Sequence, residues 1–235
     1  MSEAHGLTAL WCGADSVPGG HFAPILAAVP DAAIHPVGPQ PGKQIDPLLT
    51  GRVLVVGSDA DLAAVALRLL RKDRLGSVEL AYATTGPTPV VRQHRLPTGP
   101  AAVQLARDGR ADEVVLVRDD VGGVLVGRGE IGPITGGTVF VDEHNVLRGP
   151  AERITVTPDP VRGLAVTVTR RRRVAGLFGP RPVTTLGRAV QLGMAPTAVR
   201  LDGRDHPRPM DRWTFYKHTA PLRLVRPGGW ARAGR

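Results

Sequence analysis

Residues 53–70 read VLVVGSDADLAAVALRLL, and this stretch decides how the first half of the chain is interpreted. Four apolar residues run into a turn at 57–61, and apolar residues then recur at helical spacing. The pattern predicts a buried strand over 53–56 and a helix from about 61 to 72. A strand that turns into a helix N-terminus is a common place to bind a phosphate, because backbone N–H groups point outward there.

Taken alone, the turn allows two interpretations. In the first, Gly57 lets a phosphate approach the backbone where a side chain would block it, and Asp59 holds Mg²⁺ or a ribose hydroxyl. In the second, Asp59 or Asp61 only caps the helix. Phosphate loops are usually rich in glycine, and this one has a single glycine. The segment by itself therefore favours the cap.

The pattern on either side of this stretch predicts an α/β half. Strands are expected at 7–12, in AAIHPVG (32–38) and at 78–83. Helices are expected at 21–30, where Pro24 interrupts the pattern, in VVRQHRL (90–96) and at 99–109. Strands that alternate with helices are typical of a parallel sheet with crossover helices.

The pattern changes after about residue 112. Short runs of β-branched residues follow, separated by turns such as VGG, TGG and DEHN, and they predict an antiparallel β-sandwich or barrel. One further helix is expected near 186–191, and two last strands are expected, the first of them followed by an Asp-Gly turn at 202–203. The predicted fold class is thus an N-terminal three-layer α/β half followed by an antiparallel β-sandwich half. The predicted domains are 1–112 and 113–227, with a disordered tail at 228–235.

The charge composition indicates which classes of binding partner the protein favours. The formal net charge is +9, and almost all of the basic residues are arginine, as in the run Arg170–Arg173. A basic surface favours phosphate groups, nucleic acid or an anionic membrane surface. No aromatic residues are interleaved with the arginines, so nucleic acid is the least favoured of the three. The single cysteine excludes an intramolecular disulfide and fits a cytoplasmic protein.

Three segments, taken in order, resemble the diacylglycerol kinase catalytic-domain family of bacterial lipid kinases, which is related to the NAD kinases. The family has a strand, then GGDGT, then a helix, and this chain has GSDAD at 57–61 in that place. A PLGTGNDFAR-type loop and helix correspond to ATTGPTPVVRQHRLP at 83–97. A strand ending in DGE corresponds to VRLDG at 199–203. The resemblance covers roughly residues 7–227.

The resemblance implies ATP-dependent phosphoryl transfer to a lipid or another hydroxyl, with Mg²⁺, at a nucleotide-binding site. Asp59 would serve the nucleotide or the metal, and Asp202 would act as the base toward the acceptor hydroxyl. The residues that it implies for cofactor binding lie in the loops after two neighbouring strands: Gly57, Ser58, Asp59, Ala60, Asp61, Thr85 and Gly86.

The chain departs from the family pattern inside these segments. Ser58 and Ala60 stand where the family has glycine, Asp61 stands where it has threonine, and Arg204 stands where it has the glutamate of DGE. The side chains of Ser58 and Ala60 would crowd a phosphate bound to this loop, and Asp61 adds negative charge where the family has a hydroxyl. These departures favour the alternative of a catalytically silent kinase-like protein that binds a nucleotide or lipid in a regulatory role.

Overall fold

A computed structural model describes residues 6–13, 20–30, 33–170 and 182–228 of the chain. Its first part contains five strands and four α-helices, as the alternating pattern predicts. The strands are β1 (Leu7–Trp11), β2 (Ile34–Pro36), β3 (Arg52–Val56), β4 (Glu79–Ala83) and β5 (Arg110–Val114). The helices are α1 (Ala23–Ala27), α2 (Asp59–Arg71), α3 (Pro89–His94) and α4 (Pro100–Asp108), with 3-10 turns at Gly20–Phe22 and Lys43–Leu48.

Among its described residues, the second part contains strands and no helix. The helix predicted near 186–191 is wrong, because this segment forms the end of one strand and the start of the next. The strands are β6 (Val117–Asp119), β7 (Val124–Leu125), β8 (Gly129–Ile131), β9 (Gly137–Val141), β10 (His144–Arg148), β11 (Arg153–Asp159), β12 (Gly163–Thr169), β13 (Val183–Gly187), β14 (Ala189–Thr197), β15 (Val199–Leu201), β16 (Arg204–Asp205) and β17 (Met210–Lys217).

The last strand, β18 (Leu222–Arg226), returns to the first sheet. That sheet has the order β2-β1-β3-β4-β18-β5, in which β5 alone is antiparallel to its neighbour. The residues LRLVR predict a strand but carry no signal for its partner, which is why the expected second half includes it. The chain divides into one compact unit of Met1–Val114 with Ala220–Arg235 and another of Val115–Thr219.

Both faces of the first sheet are buried. Alternate residues of β1, β3 and β4 belong to one hydrophobic cluster with the apolar faces of α1 and α4. The residues between them, such as Leu10, Val55 and Leu80, are also fully buried although they point to the opposite face. Near-continuous apolar strands such as RVLVV are therefore explained by burial on two sides.

The second unit holds two antiparallel sheets with the orders β10-β9-β14-β17-β6-β7 and β13-β12-β11-β8-β15-β16. Buried residues of both sheets, among them Val166, Trp213 and Phe215, belong to one hydrophobic cluster. Along β11 every second residue is buried, because alternate side chains of a strand point to the same face and here enter this core. The arrangement of the two sheets as a sandwich stays a prediction.

Candidate functional site

The GSDAD turn lies at the carboxyl end of β3, and α2 begins at Asp59, two residues earlier than predicted. The N-cap of α2 is Ser58, not either aspartate. The Ser58 hydroxyl accepts from the Asp61 N–H (3.3 Å), and the Asp61 carboxylate accepts from the Ser58 N–H (2.7 Å), which completes a capping box. This reciprocal pairing satisfies two N–H groups that the first turn of a helix leaves without a backbone partner.

Asp61 is buried and makes further contacts. The Ser58 hydroxyl also donates to Oδ2 (2.7 Å), and the Gln40 N–H donates to Oδ1 (2.7 Å). A Cβ added to Gly57 would lie 2.6 Å from Asp61 Oδ2 and 3.0 Å from Cys12 Cβ. The carboxylate therefore occupies the space over Gly57 that the missing side chain leaves. Burial and the nearby Asp61 charge raise the pKa of the Cys12 thiol well above its ordinary value.

Asp59, the first residue of α2, connects this helix with β4 and α3. The Tyr82 hydroxyl lies 2.9 Å from its Oδ1 and donates to it, and the Val90 N–H donates to its Oδ2 (3.2 Å). Because β3 and β4 run in parallel, their carboxyl ends meet at the same edge of the sheet, where ligands of open α/β sheets bind. Burial, together with the Asp59 charge, raises the pKa of Tyr82 well above its ordinary value, so the hydroxyl stays protonated as a donor.

Thr85 and Gly86 follow β4 at the same edge of the sheet. Thr85 is exposed, and no atom lies within 4 Å of a Cβ built on Gly86. The neighbouring Thr88 caps α3, since its Oγ1 accepts from the Val91 N–H (3.2 Å). The structure thus places Gly57–Asp61 and Thr85–Gly86 at the ends of adjacent strands.

Asp202 belongs to the second unit and lies in the turn between β15 and β16, with a left-handed backbone (φ 49°). Its buried carboxylate accepts three backbone N–H groups, from Val126 (3.0 Å), Gly127 (2.8 Å) and Arg128 (2.9 Å). Its own N–H donates to the Arg128 carbonyl (2.9 Å). Asp202 therefore holds the segment 126–128 in place. The two segments are about 75 positions apart in the sequence, so residue spacing does not reveal this contact.

Tyr82 is the residue that sequence reasoning missed. It lies in a strand whose other buried positions are apolar, where phenylalanine would pack as well. A buried tyrosine hydroxyl requires a hydrogen-bond partner. A tyrosine at a buried strand position therefore indicates that a polar group lies next to it. The partner is Asp59, 23 positions earlier.

Comparison with known proteins gives a match at the level of structure. No protein-family profile matches the sequence, and no curated protein matches it significantly. The structure of a diacylglycerol kinase from Bacillus anthracis superimposes with a TM-score of 0.67 at 13% identity, over 97% of this chain and 98% of that one. An NAD kinase from Archaeoglobus fulgidus, in complex with ATP, gives 0.60 at 14% identity over 94% of each chain. Yeast NADH kinase, complexed with NADH, gives 0.54 at 9% identity over 94% of this chain and 84% of that one.

The chain has the diacylglycerol kinase-like fold. This fold bears out the resemblance seen in the order of the three sequence segments. The comparison extends from end to end in the diacylglycerol kinase, so both units of this chain have counterparts there. No described helix has the length and apolar character needed to cross a membrane.

The residues present fit only in part the nucleotide and the Mg²⁺ that the sequence resemblance predicts. The loop at 57–61 does not fit a phosphate as it stands, because the Asp61 carboxylate accepts the Ser58 N–H and covers Gly57. Both oxygens of Asp59 accept hydrogen bonds from the chain itself. Among the described residues, no group of three or more His, Cys, Asp or Glu side chains is placed to hold a metal ion.

Proposed function

We propose that this chain is a diacylglycerol/lipid kinase-like protein that transfers a phosphoryl group from ATP to the hydroxyl of a lipid or another acceptor. The observation that supports this is the shared fold with a diacylglycerol kinase and an ATP-bound NAD kinase over nearly the whole chain. In this proposal Asp59 serves the nucleotide or Mg²⁺ and Asp202 is the base. The protein is cytoplasmic, and its charge of +9 brings it to anionic membrane surfaces.

A second candidate function is that of a silent kinase-like protein that binds a nucleotide or lipid in a regulatory role. One specific observation favours it. The carboxylates of Asp59, Asp61 and Asp202 all accept backbone N–H groups of their own unit. Such bonds build the fold, and a carboxylate can make them without any part in catalysis.

A phosphoryl-transfer assay separates the two candidates. Purified protein is incubated with radiolabelled ATP, Mg²⁺ and mixed lipid extract, and wild type is compared with Asp59→Asn and Asp202→Asn. The matched control is Asp119→Asn, since Asp119 is another buried aspartate that accepts two backbone N–H groups, from Val121 and Gly123. If Asp202 is the base, its replacement lowers the rate by about 10²-fold or more, as is typical for the loss of a general base.

The outcomes are distinct. Transfer by wild type and by Asp119→Asn, with loss in the other two variants while they remain folded, supports the kinase. Transfer that survives both Asp59→Asn and Asp202→Asn overturns the roles given to these residues. No transfer, with an ATP-dependent thermal shift, supports the silent protein. No transfer, with no thermal shift on addition of ATP or of lipid, overturns both candidates.

A further inference from the structure

The first turn of α2 already contains an anion. Asp61 contributes a buried carboxylate that accepts three hydrogen bonds of 2.7 Å, from the Ser58 N–H, the Ser58 hydroxyl and the Gln40 N–H. Charge-assisted hydrogen bonds of this length are among the strong ones in proteins. The carboxylate also benefits from the positive end of the helix dipole. These are the features by which a helix N-terminus binds a phosphate.

The carboxylate and a phosphate would compete for the same donors and the same space. Gly57 is the residue that would let a phosphate reach the backbone, and Asp61 Oδ2 lies where the Cβ of a side chain at 57 would collide with it, at 2.6 Å. Ser58 is exposed, so the loop is open to solvent on its other side. The Asp61 carboxylate is tethered to the loop, so it competes at an effective concentration of about millimolar or more. A free ligand competes only at its concentration in solution.

The loop at 38–42 reinforces this arrangement. Gln40 has a left-handed backbone (φ 48°), which any residue with a side chain adopts at some cost, and its N–H is thereby directed at Asp61 Oδ1. A backbone N–H 21 positions away thus holds Asp61 Oδ1, while Ser58 holds Oδ2. The carboxylate is held from two segments of chain.

We infer that Asp61 is an internal anion that occupies the phosphate position of the loop at 57–61 and keeps this loop closed to polyphosphate ligands. The nucleotide can engage the loop only when the Asp61 carboxylate leaves Ser58. The inference rests on the proposed function, since it concerns the same loop, but it requires only ligand binding and no catalysis. Asp61 acts here by exclusion, and its removal is expected to strengthen binding.

The test measures the binding of inorganic pyrophosphate to the full-length protein by calorimetry. Asp61→Ser and Asp61→Ala both remove the carboxylate and its bulk. The control is Asp73→Asn, which removes one negative charge at an exposed, left-handed position beyond the other end of α2, where asparagine is well tolerated. This control corrects for anion binding driven by net charge alone. Amide chemical shifts of residues 58–60 locate the binding at the loop.

Removal of the carboxylate is expected to tighten pyrophosphate binding by about tenfold or more, because a like charge leaves the site. Asp73→Asn should equal wild type. Equal affinity in the Asp61 variants and the control overturns the inference, as does a wild-type protein whose 58–60 amides already shift at low pyrophosphate concentration. The wild-type measurement can overturn the inference even if a variant fails to fold. A variant that binds pyrophosphate but transfers no phosphate upholds the inference while the proposed function fails.

Discussion

At the scale of single residues, the buried aspartates that the structure describes accept hydrogen bonds from the chain's own backbone. Asp59, Asp61 and Asp202 each fix a loop, and Asp119 does the same at the turn between β6 and β7. Four buried carboxylates with this common role explain why aspartates follow strands so often here. A catalytic role for two of them would come in addition to a structural one.

Asp119 gives the clearest pH dependence. Burial raises the pKa of its carboxyl above the ordinary 3.8, and the neighbouring Asp120 adds to the rise, while the Gly123 and Val121 N–H groups oppose it. Its Oδ2 has no hydrogen-bond partner among the described residues. The folded state therefore holds this proton more tightly than the unfolded state. The resulting stability is fully present below the unfolded pKa and is lost as pH rises through the folded one.

The change that tests this is Asp119→Asn, which keeps an acceptor for the Val121 and Gly123 N–H groups but cannot ionise. The difference in unfolding free energy, wild type minus variant, should grow as pH falls from 7 toward 4. The difference cancels the contributions of other groups to the pH dependence of stability. One such group is Asp46, whose pKa is lowered by its hydrogen bond with Arg68. Denaturant titrations at several pH values measure this difference in unfolding free energy. A difference that stays constant over this range would refute the raised pKa of Asp119.

At the scale of elements, the two loops after β3 and β4 differ in how tightly they are built. The resemblance assigns Gly57 and Gly86 to the same cofactor site. Of the two, only position 57 has no room for a side chain, because a Cβ there would collide with Asp61 and Cys12. Gly57→Ala should cost about 1–3 kcal/mol of stability, as overpacking of a filled site does. Gly86→Ala, whose Cβ meets no atom within 4 Å, is the matched control and should be near neutral. Equal costs would mean that Asp61 does not fill the space over Gly57.

The elements themselves were largely predictable, and their partners were not. Apolar runs and turn residues located β1, β3, β4 and α2 to within two residues, because burial on two faces leaves a strong pattern. The segment 186–191 was misread, since LGRAVQ has helical spacing by chance while its neighbours pair in sheets. The Tyr82–Asp59 and Asp202–Gly127 bonds depend on three-dimensional proximity, which residue spacing does not encode.

At the scale of the whole molecule, the chain leaves its first unit at Val114 and returns to it at Ala220. β18 then fills the place between β4 and β5, with Leu224 opposite Leu80 on one side and Asp112 on the other. Two ion pairs fasten it, Arg223 with Glu79 (2.6 Å) and Arg226 with Asp112 (2.8 Å). The first unit is thus complete only after the last strand has been added.

This return makes a prediction that Leu224→Ala can check. Leu224 is 1% exposed, so the substitution should lower stability by about 2–5 kcal/mol, and the loss should fall on the first unit. Native-state hydrogen exchange should show reduced protection in β4 and β5, the strands that β18 joins, while the strands of the second unit keep theirs. Val161→Ala is the control, since this side chain is 75% exposed and its loss should cost within about 0.5 kcal/mol. Unchanged protection in β4 and β5 would contradict the placement of β18, because a strand that joins two others cannot lose its central leucine without loosening both.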